Sequence, residues 1–148
     1  PWAYALHLPH DPRAPRIART TVRGVLGAHG LGGIADTAEP LTSELVTNAY
    51  RHSKGPAALR LRQLGGGLRV TVWDTDPHIP PPFDRRGGAA APSVSLTPAD
   101  GECGRGLALV CHYADAWGGH PLGDDLFGQS GKLLWFELGE RPVLAVAG

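Results

Sequence analysis

Methionine is absent from this chain and cysteine occurs twice, at Cys103 and Cys111. Without a Met, the natural start is expected upstream of Pro1. Two thiols cannot staple a fold of this size, and the C-x7-C-H spacing that ends at His112 fits none of the common zinc patterns, which favours two small buried thiols in a reducing cytoplasm over metal ligation. No apolar run approaches the ~20 residues of a membrane span, and Pro1-Trp2-Ala3-Tyr4 opens with no charged-then-apolar leader, so a cytoplasmic protein with no membrane partner is expected. Net charge is lacking too: 14 basic and 14 acidic residues give a formal charge of +0, which argues against direct nucleic-acid binding through bulk electrostatics. Arg outnumbers Lys heavily, and Gly, Pro and Ala are abundant, which reads as coding bias rather than chemistry. No internal repeat is evident.

What is present suffices for an ordinary core. With 148 residues, 42% of them hydrophobic and 19% charged, the chain is expected to form a single domain spanning 1–148 without staples. Its organising stretch is Leu41-Thr42-Ser43-Glu44-Leu45-Val46-Thr47-Asn48-Ala49-Tyr50-Arg51-His52-Ser53. As a helix, it places Glu44 and Asn48 one turn apart on one face, beside an apolar stripe of Leu41, Leu45 and Ala49. A lone E-x-x-x-N is usually a solvated helix edge, so its meaning rests on what accompanies it.

Residues 2–8 alternate loosely and stop at Pro9, as a short edge strand would. Over 13–29, Ala14, Ile17, Ala18, Val22, Val25 and Leu26 recur at helical spacing opposite Arg13, Arg16, Arg19 and Arg23, with Gly30 as the stop. That basic face reads as solvated surface, with a partner-binding patch as the alternative. Asp36 and Glu39 predict a capping box for the organising helix, with Pro40 inside its first turn, and Lys54-Gly55-Pro56 breaks it. Residues 57–64 and 68–74 alternate on either side of Gly65-Gly66-Gly67, predicting an antiparallel hairpin that puts Asp74 on the same face as Leu68, Val70 and Val72. A carboxylate ending a core-facing row requires a partner. Residues 75–103 lack periodicity and are rich in Pro, Gly and Ala, predicting a mobile lid. Gly104-Arg105-Gly106 then runs into the apolar helical stretch Leu107-Ala108-Leu109-Val110; glycines opening a helix would leave free amides for an anion such as phosphate, with a flexible hinge as the alternative. Two further strands are predicted at 115–119 and 132–138, and the tail from Arg141 is left unassigned.

The order of these features resembles the GHKL (Bergerat-fold) ATP-binding superfamily, and within it the histidine-kinase-like ATPase domains of bacterial anti-sigma factor serine kinases and their regulatory relatives. Glu44-Leu45-Val46-Thr47-Asn48-Ala49-x-x-His52-Ser53 is similar to that family's N box. Gly104-Arg105-Gly106-Leu107-x-Leu109-Val110 is similar to its second glycine box, and Trp117-Gly118 with Gly131-Lys132-x-x-Trp135 to its closing strands. The likeness covers nearly the whole chain. It implies a two-layer α/β sandwich, with a mixed, mostly antiparallel sheet and helices on one face. It further implies ATP and Mg²⁺ as ligands, with Asn48 holding the metal, Glu44 as general base, Asp74 accepting the adenine amino proton, and Gly104, Arg105, Gly106 and Leu107 lining the triphosphate.

Two departures stand out. The family's first glycine box runs D-x-G-x-G, whereas this chain has Asp74-Thr75-Asp76-Pro77-His78, and the Thr that relatives often carry after Gly-Lys is Leu133. Both bear on nucleotide affinity more than on fold. Within these 148 residues neither the phospho-accepting hairpin of sensor kinases nor the transducer domain of gyrase, Hsp90 and MutL types is expected, a longer parent chain being the alternative. The resemblance therefore implies a protein serine/threonine kinase that phosphorylates a small antagonist protein and controls transcription through a sigma factor, with a homodimer left open. The alternative is a nucleotide-sensing or purely protein-binding regulator without phosphoryl transfer.

Overall fold

The computed structural model describes residues 1–85, 101–123 and 130–139, with the backbone alone for 101–105. The elements run β1 (Ala3–Leu8), α1 (Ala14–Ala28), a short 3-10 turn (Gly32–Ile34), α2 (Ala35–His52), β2 (Ala57–Leu64), β3 (Gly67–Asp74), α3 (Gly101–Tyr113), β4 (Ala116–Leu122) and β5 (Gly131–Leu138). The strands form one sheet in the order β1-β2-β3-β5-β4, and all four pairings are antiparallel. The α/β sandwich expected from the sequence is present, and the expected mixture of strand directions is not found among the described strands. None of the described helices is long and apolar enough to cross a membrane.

Alternation along each strand decides the layering, because successive side chains point to opposite faces. Leu59, Leu61, Val70, Val72, Leu134 and Phe136 are buried, while Arg60 and Arg62 are exposed. Register places Leu59, Val72 and Leu134 in one cross-strand row, and Leu61, Val70 and Phe136 in the next. These rows join the buried residues of the three helices in one core.

In α1 the buried positions are Ala14, Ala18, Val22 and Leu26, an unbroken i, i+4 series. Ile17, grouped with that stripe by spacing, lies on its far flank and is 48% exposed. The helix stops as expected: Gly30 has φ 74°, and the Leu31 amide donates to the Leu26 carbonyl at 2.8 Å, the six-to-one closure of a glycine-capped helix end. The start of α2 corrects the sequence reading. The helix begins at Ala35 directly from the 3-10 turn, Ile34 caps it with no side-chain bond, and Pro40 sits inside the helix rather than in its first turn. Asp36 and Glu39 do not close a capping box; Arg23 of α1 pairs with both carboxylates, at 2.8 Å for Asp36. A neighbouring guanidinium competes for these side chains better than the helix's own first amides.

The β2–β3 turn is tighter than three glycines suggest. Leu64 pairs with Gly67, so only Gly65 and Gly66 form the loop. Gly67 belongs to the strand, where a side chain would collide with the Leu138 carbonyl of β5.

Candidate functional site

The stripe on α2 is built as its spacing requires. Leu41, Leu45 and Ala49 are buried, Glu44 is half-buried, and Asn48 is 6% exposed. Among the described residues, three buried side-chain atoms lack a hydrogen-bond partner: Thr42 Oγ1, Asn48 Oδ1 and Trp117 Nε1. An unsatisfied buried acceptor costs roughly 1–3 kcal/mol, so an orphaned carboxamide oxygen one turn from a carboxylate points to a missing donor or cation.

Glu44 meets the second motif directly. A β-carbon added at Gly106 would run into the Glu44 carboxylate, so glycine here lets the carboxylate rest directly against α3. Helix α3 begins at Gly101, however, which leaves Gly104 in its first turn, among the leading amides, and carries Arg105 and Gly106 into its second turn rather than before its start. Amides that deep in a helix are already engaged four residues back. Leu107 is 2% exposed and joins the core with Val110 and Cys111. Buried among apolar neighbours, the Cys111 thiol is pushed up to about 12; Cys103 lies outside the described side chains.

Asp74 ends β3 on the buried face, as alternation predicts, at 1% exposure. Its partner was missed by sequence reasoning. Register sets Asp74 opposite Lys132 of β5, and the ammonium lies 3.0 Å from the carboxylate, with both side chains almost wholly buried. Lys132, Leu134, Phe136 and Leu138 alternate in β5, so the inward face of that strand begins with a lysine; pairing β5 against β3 in the sequence would have exposed the match. Burial pushes the Asp74 carboxyl above its ordinary range, while Lys132 and the Asp76 amide pull the other way. The residues that replace the family glycines build consecutive turns: the Asp76 amide donates to Asp74 Oδ1 at 2.8 Å, and the His78 amide to Asp76 Oδ1 at 3.1 Å. Ser53 at the end of α2 and Thr75 after β3 share a hydroxyl hydrogen bond of 2.6 Å, which ties the end of the helix to the turn that follows Asp74.

The lid expected over 75–103 falls partly outside the described residues. Its first third does not behave as a lid: Phe83 is 1% exposed, its ring 5.4 Å from that of Trp117, and Ile79 packs on the core. Apolar residues scattered among prolines carry no period, which is why the anchor was not visible.

A carboxylate and a carboxamide stand one turn apart on α2 with Gly106 of α3 against the carboxylate, and a buried aspartate ends β3, whose following Thr75 is hydrogen-bonded to Ser53 at the end of α2. The family model described as Histidine kinase-like ATPase domain matches residues 8–120. The chain belongs to that family. None of the curated proteins matches it. Family membership makes the chain an ATP-binding, kinase-like regulator; the match takes in α2, β3 and the Gly104-Arg105-Gly106 turn and ends before β5. Between α1 and α2 of this ATPase domain lies a separate cavity of about 520 Å³ lined by Pro12, Pro15, Arg16, Arg19, Glu39 and Ser43, among others.

Proposed function

We propose that this domain binds Mg-ATP between α2, the end of β3 and the start of α3, and transfers the γ-phosphoryl group to a serine or threonine hydroxyl of a small antagonist protein, thereby controlling a sigma factor and transcription. The observation that carries the reading is the unpartnered, buried Asn48 Oδ1 one helical turn from Glu44, whose carboxylate rests on Gly106. A hard cation seeks oxygen ligands, so a carboxamide oxygen without a donor fits Mg²⁺, which when bound would neutralise charge on the triphosphate.

In this reading Glu44 accepts the proton of the attacking hydroxyl as its oxygen bonds to the γ-phosphorus and the bond to the bridging oxygen of ADP breaks. Asp74 accepts the adenine amino proton. Gly104, Arg105, Gly106 and Leu107 are the triphosphate contacts, a role that calls for the opening turns of α3 to unwind on binding; two glycines in those turns lower the cost of doing so. The cavity between α1 and α2 supports a polypeptide substrate, since it is lined by Arg16 and Arg19 and reaches Ser43, the residue before Glu44.

The test uses Glu44→Gln, which preserves shape and hydrogen bonding but accepts no proton at neutral pH. The variant should bind Mg-ATP as the parent does, with GTP as the control ligand, while phosphoryl transfer or slow ATP hydrolysis falls by ~10²–10⁴. The second reading, a nucleotide-sensing regulator without transfer, is favoured by Asp76 and His78 standing where the family has glycines; equal hydrolysis in parent and variant would select it.

A further inference from the structure

Lys132 is one of two lysines in the chain and, among the described residues, the only buried charged residue besides Asp74. Nothing in the proposed chemistry uses it. The ammonium donates hydrogen bonds to Asp74 Oδ1 at 3.0 Å and to the Asp76 carbonyl at 3.2 Å, and lies in ion-pair contact with Asp74 Oδ2 at 3.0 Å. With its ammonium so engaged and its side chain sealed from solvent, Lys132 is not a phosphate ligand. Its effect falls on Asp74.

The hydrogen-bond count on Asp74 is uneven. Oδ1 receives hydrogen bonds from the Asp76 amide and Lys132, which fills it, whereas Oδ2 has only the ion-pair contact with Lys132 and keeps a lone pair free. A buried carboxylate without a counter-charge would take up a proton and become a donor, the wrong polarity for an amino group. Leu133, at the position where relatives often carry Thr, pairs with Trp73 on the opposite, half-buried face of the sheet, so the polar residue that β5 offers to Asp74 is Lys132.

We propose that Lys132 is a positioning residue for base recognition: it keeps the Asp74 carboxylate charged and aligned with one free acceptor lone pair, so that the site selects 6-aminopurine over 6-oxopurine nucleotides. This rests on the proposal that Asp74 reads the base. The charged groups acting on Asp74 are Lys132 from β5 and Asp76 from the following turn. From α2, packed over β3, the buried polar residues Thr42 and Asn48 are neutral, and the acidic Glu44 lies against α3.

The experiment measures affinity for ATP and for inosine triphosphate, which exchanges the 6-amino group for a carbonyl, from about pH 6 to about pH 9. The wild type should prefer ATP by on the order of 10–100-fold, with a ratio flat in pH. In Lys132→Met the ratio should collapse toward unity at the acid end, where Asp74 is protonated, and recover as pH rises and the carboxyl ionises. A variant that keeps the wild-type ratio at every pH overturns the role of Lys132 while leaving Asp74 as the base reader. A wild type indifferent to the two nucleotides overturns the base-reading proposal itself. A purely structural lysine would lower both affinities together and leave the ratio unchanged. Because Lys132→Met strands a buried carboxyl, a second measurement needs no variant: the carboxyl carbon resonance of Asp74 in the wild-type protein should show the ionised form throughout that range, and titration within it overturns the proposal.

Discussion

In the proposed nucleotide site Asn48 and Asp74 serve opposite ends of the ligand, both polar, both buried, and in opposite states. Asp74 is surrounded by donors supplied by the protein, from Lys132 and the Asp76 amide, whereas the Asn48 oxygen has none. The fold therefore completes the end assigned to the base before any ligand arrives, and leaves the end assigned to metal and phosphate incomplete. Binding energy at the two ends should differ in kind: alignment with a finished acceptor at one, satisfaction of an orphan at the other.

The largest expected effect comes from undoing the finished end. Asp74→Ala leaves the Lys132 ammonium buried with a single carbonyl partner, and breaking a buried pair from one side costs about 3–5 kcal/mol. Urea unfolding should show a large fall in midpoint. Replacing both partners, Asp74→Leu with Lys132→Met, should recover most of that loss, because an apolar pair avoids the desolvation that the charges require. If Asp74→Ala unfolds at the wild-type midpoint, the pair is not sealed from water and the contrast with Asn48 disappears.

At the other end, stability and activity should separate. Gly106→Ala introduces a better helix former but drives its methyl into the Glu44 carboxylate. The carboxylate is the tip of a flexible side chain and can swing aside, so the folded protein should lose little stability, with helix propensity favouring the variant by up to ~1 kcal/mol. Under the proposed role of Glu44 as base the rate should suffer instead, since a misplacement of about 1 Å can cost on the order of 10². Stopped-flow or quenched turnover on a variant of unaltered melting temperature measures this; unchanged transfer would remove Glu44 from the reaction.

Local pattern sufficed for the elements because each carries its own period: the four-residue series in α1, the stripe on α2 and the alternation in β2, β3 and β5 are all visible without tertiary information. The same alternation placed Asp74 on the core face. What escaped are features made by elements distant in the chain. Lys132 faces Asp74 across 58 residues of sequence, Arg23 draws Asp36 and Glu39 away from a local cap, and Phe83 is buried from within a stretch whose prolines hide any period. The glycines of Gly104-Arg105-Gly106 were read as a helix start, whereas Gly106 serves the approach of α3 to Glu44. Glycine reports where backbone must come close, and a single sequence does not say what it comes close to.

A small net stability effect is expected at Asn48. Substituting Leu keeps the branched outline of Asn with bulkier methyl groups and removes an oxygen that bonds to nothing in the described structure, so relief of an unsatisfied acceptor offsets the tighter packing and the protein without nucleotide should change by no more than about 1–2 kcal/mol. Loss of a satisfied buried amide would cost more. The contrast appears on adding Mg-ATP: a ligand that binds the native state at 100 times its Kd stabilises by ~2.7 kcal/mol, and Asn48→Leu should forfeit that increment while Asp74→Asn retains part of it. Thermal melts of both variants, with and without Mg-ATP, make the comparison in one experiment. If Asn48→Leu destabilises the nucleotide-free protein by several kcal/mol, the oxygen has a structural partner and does not wait for a cation; if it melts like the parent and still gains full protection from Mg-ATP, the metal is held elsewhere.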